Sequence, residues 1–234
     1  MDHNFHAQII PDILTLDEVG QVYDEITNRP NQSYIMDNYS QKVTDFNMPE
    51  DIANKIIKIC EDTYGLQNLQ ISAFQFARYA NYYDEEGNKV VPILSPHWDD
   101  AFETPRLTFD YQIGGNTTWG ISVEGYDDFI LENNQAVCFG GTHQIHWRPH
   151  KTFRDDEYLD MIFVHLDIKN ADKIERFSKT MSQKEPIWYN KYLEQINNDP
   201  DNFYGENIKN TLGLKEYHSR WSESNINGAE TNND

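Results

Sequence analysis

From Gln70 to Asp167 the apolar residues of this chain recur largely at every second position, in short runs broken by turn residues. A period of two places successive side chains on opposite faces of a strand. The first run holds Ile71, Ala73, Phe74, Phe76 and Tyr79. Others fall at Val90–Leu94, His97–Ala101, Arg106–Ile113, Thr118–Val123, Asp128–Leu131, Ala136–Phe139 and Leu159–Asp167. Glu86-Gly87-Asn88, Gly114-Gly115-Asn116, Glu124-Gly125 and Asn133-Asn134 supply turns between them. No helical pattern intervenes, so the strands have no crossover helices to make them parallel. They must close into an antiparallel sandwich or barrel. The expected fold is mainly β with helical additions: a double-stranded β-helix (jelly roll, cupin-like barrel) buttressed by N- and C-terminal helices.

The flanks carry the helical period. Thr15-Leu16-Asp17-Glu18 reads as a capping box opening a helix to about Thr27, with Leu16, Val19, Val22, Tyr23 and Ile26 on one face. Pro49-Glu50-Asp51 opens a second helix with Ile52, Ile56, Ile57 and Cys60 inward, and Gly65 supplies its stop. Beyond Ile168, Ala171–Met181 and Ile187–Ile196 are expected helices, and Trp188, Tyr189, Tyr192 and Leu193 pack on the barrel or join a lid. Ser222–Asp234 is polar and reads as a disordered tail. The 234 residues suit one domain over 1–221: a helical buttress to about 69, a jelly-roll core over about 70–168, and C-terminal helices over about 169–221.

Charge narrows the partners. With 39 acidic against 19 basic residues the net charge is −20, which repels phosphate backbones and anionic lipid. Direct nucleic-acid or membrane binding is not expected, and a neutral or cationic substrate is slightly favoured. The first residues lack a basic and apolar leader, no run of about 18 apolar residues exists, and Cys60 and Cys138 read as two buried free thiols. A soluble, cytoplasmic protein is expected. Its richness in Asn, Asp, Ile and Lys is compatible with an AT-rich genome, a viral one included.

The chemistry gathers around His97-Trp98-Asp99, followed 47 residues after Asp99 by His146. Two imidazoles and one carboxylate are the ligand set that holds non-haem Fe(II) on one side and leaves positions open on the other. On a strand, His97 and Asp99 share a face while Trp98 turns into packing. His146 falls just past the strand ending at Phe139, at the expected barrel mouth. His143 competes for the third place; a turn or supporting role suits it better, and His150 reads as solvated. His165 either lines the barrel beside the metal or satisfies a core hydrogen bond. Trp119 and Trp147 read as packing. Tyr82 and Tyr83 lie on a loop that faces substrate or is simply buried, and Arg106 meets substrate or makes a solvated salt bridge. Phosphate loops, Gly-x-Ser-x-Gly, His-Glu-x-x-His and Cys-x-x-Cys are absent from the sequence.

Three stretches in order carry a resemblance: Phe76-Ala-Arg78-Tyr79-Ala-Asn-Tyr82-Tyr83, Ser95-Pro-His97-Trp-Asp99, and Arg106-Leu-Thr-Phe-Asp-Tyr-Gln112. Then come Phe129 to Pro149, with Phe139-Gly-Gly-Thr-His-Gln-Ile-His146-Trp-Arg148, and Met161-Ile-Phe-Val-His-Leu166. Together, over about 70–168, they resemble the core of the Fe(II)- and 2-oxoglutarate-dependent dioxygenases of the prolyl-hydroxylase-like group. The resemblance implies Fe(II) on His97, Asp99 and His146, 2-oxoglutarate as cosubstrate, O2 as oxidant, and hydroxylation of an unactivated C–H bond. It also implies a cation for the distal carboxylate of 2-oxoglutarate, with Tyr79 as a hydrogen-bonding partner. Family members often carry that cation at the start of the final strand; here Arg154-Asp155-Asp156-Glu157-Tyr158 is mostly acidic. Arg148 is the first candidate, Arg154 the second and Lys151 the third. A non-catalytic jelly-roll binding module and a cupin-like metal enzyme that does not use 2-oxoglutarate are the rival functions. The substrate is a small molecule or a peptide of undetermined identity, and oligomeric state is not legible.

Overall fold

The computed structural model describes residues 6–28, 35–36, 42–44, 46–83, 86–87, 89–90, 92, 94–97, 99, 106–142, 144–149, 151–168, 190–191, 194–195 and 198. The chain divides into two compact units, residues 1–176 and 177–234. In the second, residues 190–191 and 194–195 are helical, and the Asn198 amide donates to the Glu194 carbonyl at 2.9 Å. The expected helix Ala171–Met181 and the tail from Ser222 lie outside the described residues.

In chain order the first unit contains β1 (Gln8–Ile10), α1 (Leu16–Thr27), β2 (Ile35–Met36), β3 (Lys42–Thr44), α2 (Glu50–Tyr64), β4 (Leu69–Ala80), β5 (Tyr82–Tyr83), β6 (Lys89–Val90), β7 (Leu94–His97), β8 (Arg106–Gly115), β9 (Ser122–Val123), β10 (Gln135–Phe139), β11 (His146–Arg148) and β12 (Tyr158–Ile168). Both expected helices form for the expected reasons. Thr15 and Glu18 complete the capping box on α1. Gly65 ends α2 in the left-handed region at φ 64°, where a Cβ would be strained. Leu16 departs from expectation: it is 90% exposed. It stands at the first helical position, and the buried stripe starts a turn later, running through Val19, Val22 and Ile26.

Seven strands form one antiparallel sheet in the order β1-β10-β8-β12-β4-β3-β2, and three form a second in the order β7-β11-β9. The faces of the large sheet follow from the two-residue period. On one face Leu107, Phe109, Tyr111 and Ile113 of β8, Cys138 of β10 and Ile162, Val164 and Leu166 of β12 pack against Val22, Ile26, Ile52, Ile56 and Cys60 of the helices. On the other, Ala77, Tyr79, Val137, Phe139, Leu159 and Met161 meet Ile121 and Val123 around the second sheet. This is the expected double-stranded β-helix, its N-terminal helices lying on the outside of the large sheet.

Several strands differ from expectation. Pro92 interrupts the run expected at Val90–Leu94, which divides into β6 and β7; a proline has no N–H for a ladder. The run at Thr118–Val123 shortens to β9. That at Asp128–Leu131 reduces to a bridge in which Ile121 and Phe129 exchange backbone hydrogen bonds of 3.0 and 2.8 Å. From the run at His97–Ala101, His97 ends β7, and residues 98, 100 and 101 lie outside the described residues. The strands β1, β2, β3 and β11, two or three residues each, are too short to display a period.

Candidate metal centre

The register of the small sheet builds the site. β11 pairs with β7 so that His146 lies directly opposite His97, and their rings are 4.3 Å apart. Asp99 follows the end of β7, and its amide donates to the Gly141 carbonyl at 2.7 Å. Asp99 Oδ1 lies 4.0 Å from His97 Nε2 and 3.6 Å from His146 Nε2. The ligand atoms of these three residues all lie within 4.8 Å of one another, which suits a single metal ion.

The carboxylate is oriented from behind. Asp99 Oδ2 accepts the Thr108 hydroxyl and lies 3.4 Å from His165 Nδ1. One oxygen is therefore tied to the large sheet while the other faces the two imidazoles. His146 Nδ1 lies 3.1 Å from the Gln144 carbonyl, a contact only an Nδ1–H can make favourable, so the free lone pair sits on Nε2 toward the centre. The Phe139 ring covers His146 at 4.6 Å. Gly141 permits the close approach: a Cβ there would overlap the Thr108 hydroxyl and Asp99 Oδ2. Burial pushes the Asp99 carboxyl up, but His146, His165 and His97 outweigh it and hold the group well below the usual carboxylate range. Burial, reinforced by His97, drives His146 down to about 3. Both groups thus stand in the deprotonated forms that bind metal.

Inside the barrel, β8 departs from the apolar norm. Thr108, Asp110 and Gln112 form its inward row, and all three are buried. Arg148, two residues beyond His146 on β11, is fully buried beside them. Its Nη1 donates to the Trp119 carbonyl, its guanidinium lies 5.4 Å from the centre of the Trp119 ring, and Nη2 lies 3.9 Å from Asp110 Oδ2. Arg148 Nε and Gln112 Oε1 are buried without a hydrogen-bond partner among the described residues. Tyr79 is buried in the same interior, its ring edge-on to Trp119 at 4.8 Å. Burial pushes Asp110 up to about 7, against the pull of Arg148 and with the push of Asp99; burial lowers Arg148 as well.

The other candidates lie elsewhere. Arg154 is 75% exposed and pairs with Glu157 at 3.1 Å. Lys151 donates to the Thr117 hydroxyl at 2.6 Å and lies 5.0 Å from the centre of the Phe153 ring. His165 lies beside Asp99 inside the barrel, its Nδ1 3.4 Å from both Asp99 Oδ2 and Thr108 Oγ1. Arg106 pairs with Asp167 at 2.6 Å, one step along the sheet from Thr108 and His165. Trp119 and Trp147 are buried, as expected of packing residues. Tyr82 donates to the Arg78 carbonyl at 2.9 Å, and Tyr83 is exposed. Trp98, His143 and His150 lie outside the described residues. Sequence reasoning missed Thr108, Asp110, Gln112, Gly141 and Gln144. The one available signal was the alternation of polar residues along Arg106–Gln112.

No family model and no curated protein matches the chain. Solved structures do. The non-heme alpha ketoglutarate dependent epimerase SnoN from nogalamycin biosynthesis aligns over 69% of this chain and 78% of its own, at 13% identity and a TM-score of 0.52. A complex of SnoN with Fe3+, alpha ketoglutarate and nogalamycin RO aligns at a TM-score of 0.50, with 13% identity and the same shares of the two chains. A Pseudomonas putida prolyl-4-hydroxylase aligns over 69% of this chain and 92% of its own, at 10% identity and a TM-score of 0.48. The similarity to SnoN is one of fold.

Proposed function

We propose that this chain is an Fe(II)- and 2-oxoglutarate-dependent dioxygenase that hydroxylates an unactivated C–H bond of an amino acid, a peptide residue or a small metabolite. The observation that carries the proposal is the convergence of His97, Asp99 and His146, with one Asp99 oxygen secured by Thr108 and the other turned to the imidazoles. These three residues would hold the metal. Fe(II), with 2-oxoglutarate and O2, supplies the oxidising power that no side chain here possesses.

The remaining residues bind and orient. A buried N–H without an acceptor costs about 1–3 kcal/mol, so the unsatisfied Nε of Arg148 marks a position suited to an acceptor from outside the chain. A guanidinium can grip a carboxylate there. One two-residue step of β8, about 7 Å, separates the Thr108–Asp99 contact from Asp110 beside Arg148. That step suits a five-carbon diacid held by the metal at one end. Tyr79 packs edge-on to Trp119, over which Arg148 lies, and these rings would shield a carboxylate there from water. Exposure and local ion pairing make Arg154 a poor anchor, and Lys151 is engaged with Thr117. The enzyme would act on a soluble substrate in the cytoplasm, without nucleic-acid or membrane contact; the net charge of −20 supports this. Among the described residues no helix is long and apolar enough to cross a membrane.

A second reading, a cupin-like metal enzyme without 2-oxoglutarate, draws on Asp110, whose carboxyl already faces Arg148. Succinate release separates the two. With Fe(II), O2 and 2-oxoglutarate, wild-type protein is expected to convert cosubstrate to succinate, and Asp99→Ala to lose that turnover by at least about a hundredfold. Metal binding without any succinate would favour the second reading.

A further inference from the structure

Asp110 and the distal carboxylate of 2-oxoglutarate would compete for one cation, Arg148. Asp110 is buried on the inward row of β8, between Val137 of β10 and Phe163 of β12, both apolar. The charged or titratable groups acting on it are Arg148 from β11, Asp99 beyond β7 and His165 from β12; Thr108 and Gln112 flank it without charge. Among the described residues its ion-pair partner is Arg148, at 3.9 Å, a contact too long for a direct hydrogen bond. A second carboxylate brought to Arg148 would place two anions on one guanidinium in a dry pocket, and such sites retain a single negative charge.

Resting on the 2-oxoglutarate assignment above, we propose that Asp110 takes a proton from solvent when the cosubstrate's distal carboxylate reaches Arg148, so that cosubstrate affinity is set by Asp110 and falls as the medium turns alkaline. Of the two acids it is Asp110 that accepts the proton, because burial already favours its neutral form. Once protonated, Asp110 becomes a hydrogen-bond donor, as an anion-binding pocket requires. The position is thus a determinant of cosubstrate binding, supplied by the acid of β8 rather than by the metal ligands.

The test is calorimetric titration of 2-oxoglutarate into protein saturated with Mn(II), without O2, from about pH 6 to about pH 8.5. Each pH point is repeated in two buffers of different ionisation heat. Wild-type protein should take up about one proton per ligand at the alkaline end, and its Kd should rise toward tenfold per pH unit above neutrality. Asp110→Asn should bind more tightly than wild type at alkaline pH, with neither slope nor proton uptake. The buffer comparison on wild-type protein needs no variant, so it stands even if Asp110→Asn fails to fold. A flat wild-type profile without proton uptake overturns the inference while leaving the cosubstrate assignment intact, as does an Asn variant that keeps the wild-type slope. No binding by either protein at any pH overturns the cosubstrate assignment and the inference with it.

Discussion

At Gly141 the backbone runs against Asp99 so closely that its carbonyl receives the Asp99 amide and its missing Cβ leaves room for the Thr108–Asp99 contact. Gly141→Ala must displace one of these groups. The expected result is a fall in Mn(II) affinity of about 10–100-fold, the usual cost of disturbing a group behind a metal ligand. Mn(II) titration followed by electron paramagnetic resonance would read it, and unchanged affinity would mean that Gly141 does not position Asp99. At this scale the sequence revealed what is chemically distinctive. His97, Asp99 and His146 stand out because few other side chains suit a metal, and Arg148 became a candidate because the resemblance implies a cation for the distal carboxylate of 2-oxoglutarate. Thr108, Asp110 and Gln112 stayed hidden for a physical reason. Polar residues alternating with Leu107, Phe109 and Tyr111 look like the solvent side of an amphipathic strand, whereas both sides of β8 are buried. Only the closing of the second sheet over the first makes that polar row an interior.

The elements were legible in proportion to their length. α1 and α2 announce themselves by caps and period, β8 by the strict alternation from Arg106 to Ile113, and β4 and β12 by long runs rich in apolar residues. β11, three residues long, does not, yet it carries both His146 and Arg148; its strand character comes from pairing with β7 and β9, which no local signal encodes. Where a local signal is strong its energy can be tested. The Thr15 side chain accepts the Glu18 amide, and Glu18 in turn accepts the Thr15 amide at 2.6 Å and pairs with Lys55 of α2 at 2.7 Å. Thr15→Ala removes one arm of the box and should cost about 1 kcal/mol. Urea unfolding should show a lower midpoint with an unchanged slope. No change in midpoint would mean that the pair with Lys55 holds the helix end without the cap.

Across the whole first unit, two functions are divided between the faces of one sheet. The outer face of the large sheet binds α1 and α2 through an apolar core, and Tyr23 of α1 reaches through to Asp160, which Arg78 also grips at 2.7 Å. The inner face carries the polar row and, with β7 and β11, the three candidate ligands. Stability and chemistry therefore draw on different side chains of the same strands, and the alternation that specifies the fold is also what sorts them. Fold class followed from the sequence because it depends on residue type and a two-residue period, whereas the candidate triad, with His146 lying 47 residues beyond Asp99, followed from residue type together with the ordered family resemblance. The proposed cosubstrate position followed only in part, because it depends on which side chains from β4, β8, β11 and β12 converge. In the proposed function this inner face holds a metal and, through it, 2-oxoglutarate. The most direct measurement is anaerobic thermal unfolding of the protein with Mn(II), with and without 2-oxoglutarate. A ligand that binds the folded state alone raises Tm, by about 2.7 kcal/mol of stabilisation at a hundredfold excess over Kd. Tm should rise with Mn(II) and rise further with 2-oxoglutarate in a manner that depends on the metal. No shift with Mn(II), or no further shift with 2-oxoglutarate, would contradict the proposed function.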